Sequence, residues 1–436
     1  MRKLRLRLCL VIALSVLASR SLLAEPSYTV SVATDRTDAI YETCDEVRFL
    51  IQVRKGDEPV TTGQVRYVLN EDGVHPLDDG AVQLSDKPAV VSGRMDKPGF
   101  LRCQATWQPD AGKPVMAMAG AAISPTKITP SLPVPDDFDA FWADQKAKLA
   151  QVPMDPKLTP VDNPDPAVEC FDVQLNCLGG APVSGYFARP KDAKPKSLPA
   201  ILWVHGAGVR SSTLYGALNG AKQGMLSMDI NAHGIPNGKP GKFYEDLAAG
   251  ALKEYRIQGR ESRETVYFLG MFLRLIRAID FLASQPQWDG KVVAVIGHSQ
   301  GGGQALAAGG LDPRVTVIAA GVPAICDHTG QAVGRINGWP KLVPNGSDGK
   351  PEPASLEASR YVDAMNMASR CKADAIVSVG FIDTTCPATT CYAAYNQLQG
   401  KKQMINEPTM GHTAPPHIQK AFLDWILAHV RERSGG

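Results

Sequence analysis

Residues 297–301 match the pattern G-x-S-x-G, with Ser299 at its centre, and the apolar run 292–296 precedes them directly. A serine between glycines, on a sharp turn from strand to helix, is held as an exposed nucleophile. The helix-forming run 304–308 follows, so the backbone amide of Gln300 is expected at a helix N-terminus, where it can face an oxyanion. The alternative interpretation is an ordinary tight turn with an inert serine.

A serine hydroxyl is a weak nucleophile at neutral pH and needs a histidine base, which a carboxylate holds in the right tautomer. With this motif the expected chain order is serine, acid, histidine. Asp383 follows the apolar run 375–379, and His412 lies in the loop after the short predicted strand 403–406. Both lie past the carboxyl ends of predicted strands, where open α/β sheets bind ligands. We therefore predict a triad of Ser299, Asp383 and His412.

Other residues compete for the acid and base roles. Asp374 precedes its strand and is expected at the opposite edge of the sheet, and His417 is expected on the closing helix. His328 follows the strand after the nucleophile and is the strongest rival. An acid after a strand is also ordinarily a turn or helix-cap residue. Order, spacing and strand-end position together favour Asp383 and His412.

A second oxyanion donor is expected from the loop after an earlier strand. Residues 199–204 are predicted to form that strand, and residues 205–208 form a glycine-rich loop. The amides of Ala207 and Gln300 would then converge on the oxyanion, and each such donor typically stabilises the transition state by about 3 kcal/mol. The alternative is an ordinary glycine turn.

Several further motifs occur between residue 135 and the C-terminus. They are an Asp-Phe-Asp-x-Phe-Trp sequence at 137–142, Ser-Gln-Gly-Gly-Gly at 299–303, residues 380–387, residues 393–396 and Gly411-His412. With these motifs the chain resembles the acetyl xylan esterase and cephalosporin-C deacetylase family of α/β-hydrolases, carbohydrate esterase family seven. The resemblance implies the same triad, the same two oxyanion amides, and removal of acetyl groups from esterified sugars.

Three positions depart from the family's pattern. The family commonly has tyrosine where Ala207 stands, an Arg-Gly-Gln stretch where this chain has residues 231–234, and a second proline at the position of Ala388. The donor amide is kept at Ala207, but the pocket wall changes. These differences bear on the choice of acyl group and sugar, whereas serine hydrolase chemistry does not depend on them.

The N-terminal segment 1–24 has basic residues, then an apolar run over 8–17, then small and polar residues near Ala24. This pattern predicts a secretory signal peptide and a secreted or periplasmic protein, and the apolar run is too short to span a membrane. The whole chain has a net charge of +2; without this segment, 41 basic and 44 acidic residues leave −3. Nothing in the charge indicates a nucleic acid or a polyanion as partner.

Eight cysteines remain beyond Cys9, an even number in a chain predicted to reach an oxidising compartment. We expect Cys44 and Cys103 to lie in separate strands and to bridge two sheets. Other candidate pairs are Cys170 with Cys177 and Cys386 with Cys391. No C-x-x-C pair or His-Glu-x-x-His pattern indicates a metal site.

The chain is predicted to divide into two domains after the signal peptide. Residues 25–125 contain short β-rich runs separated by Gly, Pro and Asp turns, which favours an immunoglobulin-like sandwich with a packing or interface role rather than sugar binding. Residues 126–136 form a Pro-rich linker. Residues 137–436 alternate strands and helices and are predicted to form an α/β-hydrolase domain with a doubly wound, mostly parallel sheet.

Within the second domain, residues 169–188 are predicted to form a hairpin around Gly179-Gly180. The apolar segment 265–283 carries a polar stripe at every third residue, which indicates a buried helix and not a membrane span. The loop-like insertion 328–353 holds Trp339, which either stacks on a sugar ring or anchors the loop in the core.

The predicted activity is hydrolysis of acetyl esters on xylan-type saccharides through an acyl-enzyme, without a cofactor. One alternative is a hydrolase of the same fold that acts on another ester or on peptides. A second alternative is a carbohydrate-binding protein on a hydrolase scaffold, in which Ser299 is unreactive. A homo-oligomer is possible, because family members often form rings, although the added sandwich could block those contacts.

Overall fold

The computed structural model describes residues 27–110 and 112–434, so the predicted signal peptide lies outside the described residues. The strands are β1 (Tyr28–Thr34), β2 (Ile40–Tyr41), β3 (Val47–Lys55), β4 (Glu58–Pro59), β5 (Gln64–Glu71), β6 (His75–Gln83), β7 (Ala89–Gly93), β8 (Gly99–Trp107), β9 (Val115–Ile123), β10 (Lys157–Pro160), β11 (Val168–Leu175), β12 (Val183–Pro190), β13 (Leu198–Val204), β14 (Leu226–Ile230), β15 (Trp288–His298), β16 (Val315–Gly321), β17 (Asp374–Gly380) and β18 (Lys402–Glu407). The α-helices are α1 (Phe138–Ala150), α2 (Leu214–Lys222), α3 (Gly241–Ala249), α4 (Tyr267–Ser284), α5 (Gln300–Leu311), α6 (Pro353–Ser359), α7 (Ala364–Ala368), α8 (Ala388–Gln397) and α9 (Pro416–Ser434).

Strands β1 to β9 form two sheets that face each other. One sheet joins β1, β3, β4 and β7, and the other has the order β2-β9-β8-β5-β6. Alternate residues of β3, such as Phe49 and Ile51, are fully buried and pack with Leu101 and Cys103 of β8 in the core between the sheets. This period-two burial is what two stacked β-sheets require, because successive side chains point to opposite faces.

The C-terminal part is built on a nine-stranded sheet with the order β10-β11-β12-β14-β13-β15-β16-β17-β18. The strands from β14 to β18 run parallel, whereas β10, β11 and β12 are antiparallel additions at one edge. The α/β class is therefore confirmed, with a mixed sheet. The predicted hairpin is also confirmed, since β11 pairs with β12 and Gly179 and Gly180 connect them with positive φ.

Helices cover both faces of this sheet. In β15, Val293 and Val295 join the core formed with α4 and α5, whereas Val292 and Ala294 join the core formed with α9. A strand buried on both faces explains the uninterrupted apolar run before the G-x-S-x-G motif. The parallel strands therefore end together at one edge, which presents the loops after β13, β15, β16, β17 and β18.

Helix α4 confirms the predicted buried helix with a polar stripe. Its Arg274 side chain donates to the carbonyl of Ala232, at 2.7 Å from Nη2, and Arg277 donates to the carbonyls of Leu149 and Val152. Buried guanidinium groups are tolerated here because backbone carbonyls accept their hydrogens. None of the helices in residues 27–110 and 112–434 combines the length and the apolar composition that a membrane span requires.

The predicted disulfide between Cys44 and Cys103 is wrong in this structure. Cys44 lies in an exposed turn between β2 and β3 with φ of 69°, whereas Cys103 points into the closed core of the sandwich. A turn residue outside the core cannot reach a thiol between the two sheets. The other described cysteines are also unpaired, including the candidate pairs Cys170 with Cys177 and Cys386 with Cys391.

The Pro-rich segment predicted as a linker is tied to the C-terminal part. Ile128 is buried in its main core, and the Asn396 side chain of α8 donates to the carbonyls of Pro125 and Ile128. Ser131 donates through its backbone and hydroxyl to the carboxylate of Asp327. The connection is thus a packed segment rather than a loose tether.

Candidate active site

Ser299 is the single residue between the end of β15 and the start of α5, on a sharp turn. Its backbone has φ of 59° and ψ of −123°, a strained conformation for a residue with a Cβ. The turn is possible because Gly297 and Gly301 lack side chains: a Cβ on either would lie 2.6 Å or less from the carbonyl oxygen of Val204 on β13. The spacing of the glycines therefore lets the turn sit against the neighbouring strand and expose Ser299.

The structure brings the three predicted residues together. His412 Nε2 lies 2.8 Å from Ser299 Oγ, and His412 Nδ1 lies 2.7 Å from Asp383 Oδ2. An ionised carboxylate only accepts hydrogen bonds, so the Asp383 contact places the imidazole proton on Nδ1 and leaves Nε2 free to accept from the hydroxyl. This is the arrangement in which an imidazole can take the serine proton.

Asp383 is held by its own loop. Its Oδ1 accepts from the backbone N–H groups of Thr385 at 2.8 Å and Cys386 at 2.9 Å, which leaves Oδ2 for His412. The Asp383 side chain is fully buried, while the His412 side chain remains 27% exposed. A buried carboxylate with every contact defined can fix the ring orientation of a histidine that still faces solvent.

The two predicted oxyanion residues flank Ser299. Gln300 is the first residue of α5, and the first amides of a helix have no carbonyl partner within it. Ala207 lies in the loop after β13, and a Cβ on the preceding Gly206 would come 3.5 Å from Ser299 Cβ. Both backbone segments therefore pass beside the serine; their role as oxyanion donors stays a prediction.

A buried polar network behind this loop was missed from the sequence. The hydroxyl of Tyr255 donates to Gln300 Oε1 at 3.0 Å and accepts from the Gly208 N–H at 3.4 Å. His233 contacts the carbonyl of Gly208 at 3.2 Å and the hydroxyl of Tyr267 at 2.6 Å. Burial lowers the pKa of His233 to about 4, so its ring is neutral at pH 7.

The segment 231–234, which departs from the family's pattern, thus supports the loop after β13. The Ala232 N–H also donates to His205 Nε2 at 3.1 Å, and burial lowers the pKa of His205 to about 3. The departure of residues 231–234 from the family's pattern was the only sequence signal for this network. Nothing in the spacing of the motifs places Tyr255 near Ser299.

The rival residues lie elsewhere. His328 is 1% exposed, and neither of its ring nitrogens has a hydrogen-bond partner among the described residues. His417 contacts Glu407 on the surface. Asp374 begins β17 and pairs with His429 at 2.9 Å, at the far end of the strand from Asp383. Their hydrogen bonds do not involve Ser299.

Trp339 lies near the acid loop with its ring against the core. Its ring centroid is 6.1 Å from Phe268 and 6.5 Å from Tyr255, and its backbone N–H donates to the Thr385 carbonyl at 2.8 Å. The side chain is half-buried. Anchoring of the insertion is therefore its evident structural role, and sugar stacking stays a prediction.

Among the described residues, Asp383, Cys386 and His412 bring potential metal ligands within 4.8 Å of one another. The Asp383 carboxylate and the His412 imidazole already take part in the series of hydrogen bonds that ends at the Ser299 hydroxyl. Burial raises the pKa of the Cys386 thiol well above its usual value, which disfavours the thiolate that a metal needs. The cluster fits proton transfer better than metal binding.

A cavity of about 530 Å³ lies beside the site, between α2 and α9. Gly206 and His298 line it from the sheet edge, and Tyr215 and Gln419 line it from the helices. Gly297 and His298, which immediately precede Ser299, also line it, so the cavity adjoins the candidate site.

Comparison with known proteins gives a consistent result. The sequence profile of the family described as acetyl xylan esterase (AXE1) matches residues 126–429. The chain is 30% identical over 378 residues to the acetyl esterase Axe7A of Xylanibacter ruminicola, an alignment that covers 84% of this chain and 83% of that protein.

Two solved structures are similar to this chain over 70% of its length. An acetyl xylan esterase from Paenibacillus sp. R4 is 30% identical, with a TM-score of 0.60 over 70% of this chain and 98% of its own. Acetyl xylan esterase 1 from Thermoanaerobacterium sp. JW/SL YS485 is 24% identical, with a TM-score of 0.58 over 70% of this chain and 97% of its own. The second likeness bears on the fold alone.

Proposed function

Because this chain belongs to the acetyl xylan esterase family and is a carboxylic ester hydrolase, we propose that it removes acetyl groups from acetylated xylan or xylo-oligosaccharides through Ser299, His412 and Asp383. The observation that carries this proposal is the hydrogen-bonded series from Ser299 Oγ through both nitrogens of His412 to Asp383 Oδ2, at 2.8 and 2.7 Å.

The first half of the reaction forms an acetyl-enzyme. His412 Nε2 takes the hydroxyl proton as Ser299 Oγ attacks the ester carbonyl carbon, and the carbonyl oxygen becomes an oxyanion that the amides of Ala207 and Gln300 hold. Asp383 stabilises the imidazolium that results. The imidazolium then gives its proton to the departing sugar oxygen, so the C–O bond breaks and the sugar leaves as an alcohol.

The second half releases acetate by the same steps. His412 takes a proton from water, the water oxygen attacks the acetyl carbonyl, and the same two amides hold the second oxyanion. The imidazolium returns the proton to Ser299 Oγ as the acyl bond breaks. Every proton is carried by His412, so the mechanism needs no cofactor.

Other parts of the proposal rest on the sequence. Residues 1–24 support export to the periplasm or the exterior. We propose domain limits of 25–125, 126–136 and 137–436, supported by the change from two facing sheets to the nine-stranded sheet, and an immunoglobulin-like sandwich for the first domain. Trp339 is proposed to contact the saccharide at the rim of the site.

The test is acetate release from acetylated xylo-oligosaccharides, with a simple aryl acetate as a second substrate. We expect the wild type and Ser347→Ala, an exposed serine in the insertion, to act on both, and Ser299→Ala to act on neither. Acetate release by Ser299→Ala would overturn the proposed mechanism. Wild-type activity on the aryl acetate alone would support the serine esterase mechanism and would rule out acetylated xylo-oligosaccharides as the substrate.

A further inference from the structure

The two faces of β8 serve different parts of the molecule. Leu101 and Cys103 point into the sandwich core, whereas Phe100 belongs to the main core of the C-terminal part. Arg102 lies on the same face as Phe100, because side chains alternate along a strand, and it is fully buried. The outer face of the sandwich is therefore packed against the nine-stranded sheet and its loops.

Arg102 reaches the loop that carries Asp383. Its Nη2 donates to the backbone carbonyl oxygen of Asp383 at 2.9 Å. The Asp383 peptide is thus held from outside by the sandwich, while its carboxylate is held from inside by the amides of Thr385 and Cys386.

Two further contacts connect the same face to both loops of the proposed triad. Phe100 packs against Phe381, in the loop of Asp383, with ring centroids 5.0 Å apart. Gly120, the partner of Arg102 on β9, donates its N–H to the carbonyl of Pro408 at 2.8 Å, in the loop that leads to His412. A Cβ on Gly120 would lie 2.6 Å from Phe381 Cβ, so the approach is close.

The charge of Arg102 is balanced by Asp72, which follows β5. Asp72 Oδ1 lies 3.9 Å from Arg102 Nη2, and its other oxygen accepts from the Thr389 hydroxyl of α8. Burial lowers the pKa of Arg102 and raises the pKa of Asp72, and the attraction between them opposes both shifts. Arg102 Nε and Nη1 have no hydrogen-bond partner among the described residues. The guanidinium is therefore directed at Asp383 and Asp72 despite the cost of burial.

We propose that Arg102 is a positioning residue for the deacetylation: through the Asp383 carbonyl, the sandwich fixes the carboxylate against His412. The inference rests on the proposed triad. If the Asp383 peptide turns, Oδ2 shifts relative to His412 Nδ1, and displacements of about 1 Å far from the chemistry can cost about 100-fold in rate. The N-terminal domain is then part of what makes the base effective, and not only a packing partner.

The experiment compares Arg102→Met with Gln104→Met in the full-length protein. Gln104 lies two residues along the same strand on the same face, and its side-chain amide donates to Met116 Sδ at 3.7 Å rather than to the Asp383 carbonyl. With aryl acetate, we expect Arg102→Met to lower kcat roughly 10- to 100-fold with KM changed less than about threefold, and Gln104→Met to leave both near wild type. Arg102→Lys, which keeps a charged donor, should recover part of kcat.

A double-mutant cycle separates positioning from a general loss of structure. In an Asp383→Asn background, Arg102→Met should cause little further loss of kcat, because the residue it acts through is already disabled. An equal fold-loss in both backgrounds would overturn the inference, and so would a wild-type kcat in folded Arg102→Met.

Two further measurements keep the test decisive. If Arg102→Met does not fold, the double variant Arg102→Met/Asp72→Asn, which removes both charged groups of the buried pair, replaces it in the experiment. The same loss of kcat is expected. A wild-type kcat in that pair would overturn the inference. If Ser299→Ala is inactive while Arg102 variants match the wild type, only this inference fails; if Ser299→Ala remains active, the proposed function itself fails.

Discussion

Two loops at the same edge of the sheet each carry a histidine, with opposite surroundings. After β18, His412 is partly exposed, and both ring nitrogens have partners within 2.8 Å. After β16, His328 is 1% exposed, and burial alone lowers its pKa to about 3. Both residues follow parallel strands of the same sheet, so position after a strand does not separate them. What separates them is whether an acid and a hydroxyl face the ring.

The difference indicates where proton transfer can occur. A ring with an acceptor on one side and a donor on the other can gain a proton and remain stabilised by the carboxylate. A ring without partners in an apolar environment keeps its neutral form, because the charged form would be desolvated. We therefore expect His412 variants to lose activity and His328 variants to change stability.

The largest expected effect contrasts the two histidines directly. His412→Ala should lower kcat/KM for aryl acetate by roughly 10⁵-fold, because the general base is removed. His328→Leu should change it by less than about threefold at pH 7.5, because that ring touches no reacting group. Steady-state rates of the purified variants check both values. A His328→Leu variant that folds but loses activity as completely as His412→Ala would reverse the assignment.

The acid loop gives the next effect. Asp383→Asn should lower kcat by roughly 10⁴-fold with unchanged thermal stability, because an amide no longer enforces the Nδ1–H tautomer of His412. Asp374→Asn, at the other end of β17, is the matched control and should retain activity. If the two variants had equal rates, Asp383 would not be the orienting acid.

The next prediction concerns Trp339, in the loop after β16, and its contribution to stability. Trp339→Ala should lower the free energy of unfolding by about 2–3 kcal/mol, because the half-buried ring leaves its contacts with Tyr255 and Phe268. Urea denaturation measures this value. A higher KM for xylo-oligosaccharide, with the KM for aryl acetate unchanged, would support the proposed contact of Trp339 with the sugar. An unchanged stability would contradict the anchoring role.

The smallest effect near neutral pH is the pH dependence that His328 contributes, which grows as the pH falls. An unfolded histidine titrates near 6.5, while the folded pKa of His328 is lowered to about 3. Below pH 6.5 the unfolded chain binds the extra proton, so the stability present above 6.5 is lost as pH falls. As the pH falls from about 6 to 4, the free energy of unfolding of His328→Leu should rise by about 1.4 kcal/mol per pH unit relative to that of the wild type. Parallel stability curves for the two proteins would show that His328 titrates normally.

Much of the sheet edge that carries the proposed triad could be predicted from local patterns. The apolar run before Ser299 predicted β15, the glycines predicted the turn, and the runs before Asp383 and His412 predicted β17 and β18. These predictions succeeded because parallel strands end at one edge, so chain order and strand ends are enough to bring three distant residues near each other.

Contacts with segments outside these strand ends could not be predicted in this way. Tyr255 reaches Gln300, and Arg102 reaches Asp383, through packing that no local period or spacing encodes. The wrong pairing of Cys44 with Cys103 has the same cause: parity of cysteines suggested bonds, but the fold decides which thiols face each other. Side chains alternate along β8, so an error of one residue in the sequence pattern would exchange the side chains that face the sandwich core with those that face the acid loop.

The most direct test of the proposed triad is labelling with a fluorophosphonate probe, followed by mass spectrometry of the peptide that contains Ser299. We predict one adduct per chain, on Ser299, that forms rapidly in the wild type and in His328→Leu and is nearly absent in His412→Ala. No adduct on the folded wild type, or an adduct on another serine, would contradict the assignment of Ser299 as the nucleophile.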